Sequence, residues 1–235
     1  MDPLIRLKEA NLKGLIPDHV YELVVKRFPI AVEGINRIEK ASGIRFPVAY
    51  VDPSVVVSSP VSNPYEFGIL FARTIPVTFE DKFQVVIQIT APLVAYGLKG
   101  TIHAILAHEF LHFLELIRKI SKMELLSDEI SGSLFENVYS DETRLFEPRA
   151  VFNDRTLLNH ITKRFPAGFR DYKLEDKTIK FWIDKGLPKT NIALDANTIK
   201  LSAELLSNIK LDPAFLSKLE ELEQKSNKIH KKRLY

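Results

Sequence analysis

The stretch from Thr101 to Lys122 constrains the fold of this chain more than any other, because it reads as one long helix with two unlike faces. On a wheel of roughly 100° per residue with His108 at the origin, His112 falls at about 40° and Glu115 at about −20°, with Thr101, Ala104 and Ile105 close by. Leu106, Phe110, Phe113, Ile117 and Ile120 gather on the far side, between roughly 120° and 200°. One face is therefore an aliphatic and aromatic stripe that needs a core. On the other, small residues flank two imidazoles one turn apart. His103 falls at about −140°, on the core side, and reads as a structural histidine.

Around this helix the order of elements sets the fold class. Segments 18–27 and 31–41 read as short helices separated by Pro29. Three strand-like runs follow: "RFPVAYVD" (45–52), "FGILFARTI" (67–75), which ends at Pro76, and the alternating "FQVVIQIT" (83–90). The Pro- and Ser-rich "PSVVVSSPVSNP" between the first two reads as a loop. After the long helix, 124–140 is irregular. Residues 140–165 read as helix with Ser140 as N-cap and a kink or restart at Pro148. A helix stopped by Gly186 comes next, then two more around 200–209 and 213–228. Strands first and helices after imply an α+β fold, with a small sheet of three or more mostly antiparallel strands packed on helices and a helical C-terminal part.

Composition narrows the chemistry. With no cysteine, any metal ligand must come from His, Asp or Glu. A net charge of +3 over 235 residues is too balanced to argue for a nucleic-acid partner. The basic "KIHKKRLY" reads as a frayed, solvated tail. The N-terminal stretch lacks a secretory pattern, and the most apolar region, Phe83 to Leu98, is interrupted by Gln84, Gln88 and Pro92. No membrane span and a cytoplasmic location are the expectations.

"LAHEFLHFLE" (106–115) places His108, Glu109 and His112 in an HExxH pattern. Two imidazoles at this spacing reach one divalent ion, and Glu109, displaced sideways by one residue, can hold a water beside it as general base. Glu109 and His112 also form an ExxH pair of the di-iron type, but neither His160 nor His230 supplies the second pair that chemistry needs. A catalytic zinc takes three protein ligands and keeps one position open. Arg118 stands where a third histidine would follow, so a carboxylate must serve: Glu129, Glu136, Asp141, Glu142 or Glu147. Glu115 shares the histidine face but lies almost two turns from His108, which suits a supporting role.

HExxH with a downstream helical glutamate is similar to the gluzincin branch of zinc metallopeptidases, and "TRLFEPRA" (143–150) resembles the signature that carries the third ligand in HtpX-like members. The resemblance spans roughly residues 30–165. It implies a zincin-like fold, a Zn2+ cofactor held by His108, His112 and Glu147, and Glu109 as catalytic base in peptide-bond hydrolysis. Glu142 and Glu129 stand as alternative third ligands. It also implies a metallopeptidase domain over 1–169, with 170–235 as a helical extension packed on it. Two positions depart from the family pattern. Val151 replaces an aspartate tied to the first histidine, for which Asp154 is the nearest substitute, and the membrane spans of HtpX-like enzymes are missing.

These residues imply a zinc-dependent hydrolase acting on a peptide or protein substrate. Arg144, Tyr139 and His160 are candidates to polarise the carbonyl, and "FQVVIQIT" is the candidate edge strand for aligning an extended substrate. The competing expectation is a zincin-like binding or regulatory module whose metal is structural or absent.

Overall fold

A single apolar stripe organises the first long helix. Val20, Val24, Ala31, Gly34 and Ile38 are buried at helical spacing along α2 (Asp18–Ser42), which follows the short α1 (Ile5–Leu12). The stripe runs past Pro29, which faces solvent, so the two helices expected on either side of the proline are one. Proline removes one intrahelical bond, and continuous burial on the opposite face outweighs that loss. Gly43 closes α2 in the left-handed conformation, with φ of 68°. The computed structural model describes residues 2–59, 68–79, 82–122, 145–166, 169–193 and 211–233. The expected irregular stretch 124–140, the Ser140 cap and the helix around 200–209 lie outside the described residues.

The strands are β1 (Val48–Asp52), β2 (Val55–Ser59), β3 (Gly68–Leu70), β4 (Ala72–Phe79), β5 (Lys82–Thr90) and β6 (Lys189–Ala193). They form two three-stranded sheets, ordered β1-β5-β4 and β3-β2-β6. Each is mixed: β1 runs parallel and β4 antiparallel to β5, while β6 runs parallel and β3 antiparallel to β2. This corrects the expectation of a mostly antiparallel sheet. The expected loop after β1 contains β2, because its β-branched Val56 and Val57 find partners on both sides and Val55 pairs with β6. The expected strand 67–75 changes sheets at Phe71 and continues through Pro76 to Phe79. Pro76 is tolerated because β4 is an edge strand.

Val51, Ile87 and Ile89 are buried on one face of the first sheet, and β4 packs against α4 (Lys99–Ser121), which follows the short α3 (Ala91–Tyr96). Residues 101–112 of α4 are buried all round. Where Gly34 faces α4, a β-carbon would meet His103 Cδ2 at 2.8 Å, and His103 Nε2 lies 3.1 Å from the Ile30 carbonyl. His103 thus belongs to the α2–α4 contact. Phe46 stacks on Phe110 beside it, with centroids 5.5 Å apart.

Beyond α4 come α5 (Pro148–Val151), α6 (Arg155–Arg164) and α7 (Tyr172–Thr178), which continues as a π-helical turn over Ile179–Ile183 to Gly186. The single helix expected over 140–165 is broken at Phe152–Asp154, where Asp154 caps α6 by accepting the Leu157 N–H at 2.9 Å. Last is α8 (Pro213–Arg233). It stays helical through most of the basic run expected to fray, because Leu219, Leu222 and Ser226 are buried along one side and Glu223 pairs with Arg118 and Lys122 of α4. The fold is α+β. Among the described residues no helix is long and apolar enough to cross a membrane.

Candidate functional site

The histidine face of α4 is covered rather than open: His108, Glu109, His112 and Glu115 are 5, 7, 8 and 9% exposed. The helical spacing brings the two imidazoles together as expected. Their Nε2 atoms stand 2.8 Å apart with the ring planes at 90°. Two nitrogens this close either share a proton or aim both lone pairs at one cation. Phe165, at the end of α6, stacks flat on His108 at 4.1 Å and holds that ring in place.

Each neighbour is positioned in turn. Thr74 projects from β4, with its Oγ1 2.9 Å from both Glu109 Oε2 and the Glu109 carbonyl. Burial pushes the Glu109 carboxyl above the usual carboxylate range, while His112, the Thr74 hydroxyl and Arg73 pull it back. Glu115 Oε2 lies 3.4 Å from His112 Nδ1, and its Oε1 accepts the Leu145 N–H at 3.0 Å. A carboxylate at Nδ1 favours the proton there and leaves the Nε2 lone pair available as an acceptor or ligand. Sequence reasoning missed Thr74 and Phe165. Thr74 shares its strand face with Ala72, and only the fold reveals that this face meets Glu109.

Glu147 opens α5 as its N-cap, with Pro148 in the first helical position, so the proline next to it costs the backbone little. Its backbone N–H donates to Ser226 Oγ at 3.0 Å, and its carboxylate lies 3.5 Å from His230 Nε2, both on α8. Among the described residues no three His, Asp or Glu side chains gather as a metal-binding group. The structure therefore unites His108 with His112 and does not gather Glu147 with them. The alternatives Glu129, Glu136, Asp141 and Glu142, with Arg144 and Tyr139, lie outside the described residues.

Three expectations are corrected. Asp154 is not tied to the first histidine: it caps α6 and takes a two-pronged bond from Arg37, at 2.6 and 2.8 Å. His160 packs on Gly100, whose added β-carbon would meet its ring at 2.7 Å; that is eight residues, roughly 12 Å of helix, before His108. It is not placed to polarise a carbonyl at the histidine pair. The strand β5 is central in its sheet, and the edge strands among the described residues are β1 and β4. Thr90 N–H donates to the Phe71 carbonyl at 3.0 Å, and the antiparallel alternation then turns the backbone groups of Ala72, Thr74 and Pro76 outward.

A cleft of about 30 Å3, room for about one water, lies between the Ile69–Ala72 segment, His108, Glu109, Phe165 and Phe169. Comparison of the chain with family models, curated proteins and solved structures found no match.

Proposed function

We propose that the chain is a zincin-like, zinc-dependent peptide hydrolase. The observation that carries this reading is the meeting of His108 and His112 at their Nε2 atoms beside the buried, Thr74-held carboxylate of Glu109. The two imidazoles fit a divalent cation: both nitrogens converge, and Glu115 is placed to accept a hydrogen bond from the Nδ1–H of His112. Glu147, named by the sequence resemblance, is the proposed third ligand; its carboxylate would have to turn from His230 to join them. Zinc bound there would supply Lewis acidity that brings the pKa of water towards about 7.

Glu109 is the base. Its raised proton affinity suits taking a proton from attacking water and returning it to the leaving amine. Thr74 fixes the carboxylate through one oxygen, leaving the other for the proton. The outward backbone groups of Ala72 and Thr74 lie on the same strand, so an extended peptide pairing with β4 would run past Glu109.

Two features favour the second reading, a zincin-like module without catalysis. The cleft at Glu109 measures only about 30 Å3 among the described residues, and Glu147 is engaged by α8. One experiment separates the two. The catalytic reading expects near-stoichiometric zinc and cleavage within a diverse peptide library, with cleavage lost and zinc kept in Glu109→Gln. Zinc retained without cleavage of any peptide selects the binding module. A protein that takes up no zinc sinks the hydrolase.

A further inference from the structure

At the opposite end of α4, a groove of about 850 Å3 lies between the N-terminal half of α2, the turn from α3 into α4, and the π-helical turn after α7. That volume is in the range of small-molecule sites, roughly 300–1,000 Å3. Its wall is apolar, formed by Val20, Leu23, Tyr96, Leu98, Phe181 and Leu187. Leu98 is 62% and Phe181 43% exposed, so this surface offers apolar area to solvent. The π-helical turn places Phe181 here, 6.0 Å from the Tyr96 ring, and such turns recur at functional sites.

The charged groups on the lining are of one sign. Arg27, Lys177 and Lys185 line the groove, and no aspartate or glutamate stands among its described lining residues. Arg27 is half-buried and spends its guanidinium on backbone carbonyls, those of Val94 at 2.8 Å and Gly97, which leave its charge uncompensated there. Lys177 and Lys185 are exposed and enter no ion pair found among the described residues.

We propose that this groove binds a single-chain amphiphile with an anionic head, a medium- or long-chain carboxylate. The chain lies along Val20, Leu23, Leu98 and Phe181, and the head meets Arg27, Lys177 and Lys185. An apolar ligand alone would leave the cations unanswered, and a small anion alone would leave the apolar wall in water. Leu98 precedes His108 by ten residues, about 15 Å of helix, so the site is separate from the histidine pair and does not depend on the hydrolase reading.

The test titrates the full chain with dodecanoate, dodecanol and butanoate below micellar concentrations, by calorimetry and by the fluorescence of the single tryptophan, Trp182, next to Phe181. Saturable one-to-one binding of dodecanoate is expected, with dodecanol weaker by roughly tenfold, about 1.4 kcal/mol, and butanoate silent. Lys177→Glu with Lys185→Glu, and separately Leu98→Glu, should each weaken dodecanoate by a similar factor; all three positions are exposed, and circular dichroism verifies folding. No dodecanoate binding, equal affinity for dodecanol, or unchanged affinity in both variants overturns the proposal. So does binding of an acidic amphipathic peptide in place of the carboxylate.

Discussion

Glu115 links His112 to the segment that leads into Glu147: one carboxylate oxygen lies 3.4 Å from the His112 Nδ1 and the other accepts the Leu145 N–H at 3.0 Å. A group placed behind a ligating imidazole sets which nitrogen faces the metal. Glu115→Gln keeps the size and removes the charge, so on the proposed zinc-binding reading the affinity for zinc should fall roughly 10–100-fold. Competition against a chelator of known affinity measures this. An unchanged affinity would show that Glu115 only fastens the backbone of residue 145.

Glu109 should be a burden on the metal-free fold. Its carboxyl titrates above the unfolded value of about 4.3, so folding favours the protonated form. The sign follows: the group does no harm below the unfolded pKa and destabilises the fold increasingly as pH rises from there through the folded pKa. Glu109→Gln, which can still accept from Thr74, should therefore melt higher than the wild type in chelator at pH 7–8 and equally near pH 4. Thr74→Val removes the hydroxyl from a buried carboxylate and should cost about 1–3 kcal/mol at neutral pH. Paired thermal melts across that range check both.

The pairing of His108 with His112 was legible because helical spacing is a short-range property. The four-residue separation of His108 and His112 settles their shared face whatever the rest of the chain does, and Glu109 follows from it. The three β-like runs were legible for the same reason, since alternation is local. What failed depended on distant partners. The Val55–Val57 run looked like loop between prolines because one of its two partner strands, β6, lies more than a hundred residues downstream. Pro29 looked like a boundary because the packing that carries α2 past it comes from α3 and α4. Asp154 was read by its helical face, but Arg37 of α2 claims it.

The Arg37–Asp154 pair gives a pH signature remote from the histidines. The hydrogen bond from Arg37, opposed by burial and aided by the Leu157 N–H, holds Asp154 down to about 2. A carboxyl lowered on folding contributes stability above its unfolded pKa of about 3.9, and that contribution is lost as pH falls towards 2. Asp154→Ala also removes the α6 cap, so the loss at pH 7 should be about 1–3 kcal/mol. Chemical denaturation at pH 7 and at pH 2–2.5 checks this: the difference from wild type should shrink at the acid end, where Asp154 approaches its folded pKa. A difference that stays constant with pH would remove the ion pair from the account.

The docking of α8 should be the most mutation-sensitive contact outside the core. Glu223 receives Arg118 Nε and Lys122 Nζ, each at 2.7 Å, and both Arg118 and Glu223 side chains are only 13% exposed. Burial works against the ionised Glu223, and Lys122 and Arg118 outweigh it, leaving its pKa lowered. Removing one partner of such a pair strands the other charge, so Glu223→Ala should cost about 2–4 kcal/mol, more than an exposed pair such as Lys225–Glu221. Because Ser226 and His230 on the same helix hold Glu147, loosening α8 should also change zinc affinity if Glu147 is a ligand. Lys225→Ala on the exposed face should alter neither quantity. Denaturation and zinc competition on the two variants give a direct reading: a stability loss in Glu223→Ala with zinc affinity unmoved would detach α8 from the proposed metal site and count against Glu147 as its third ligand.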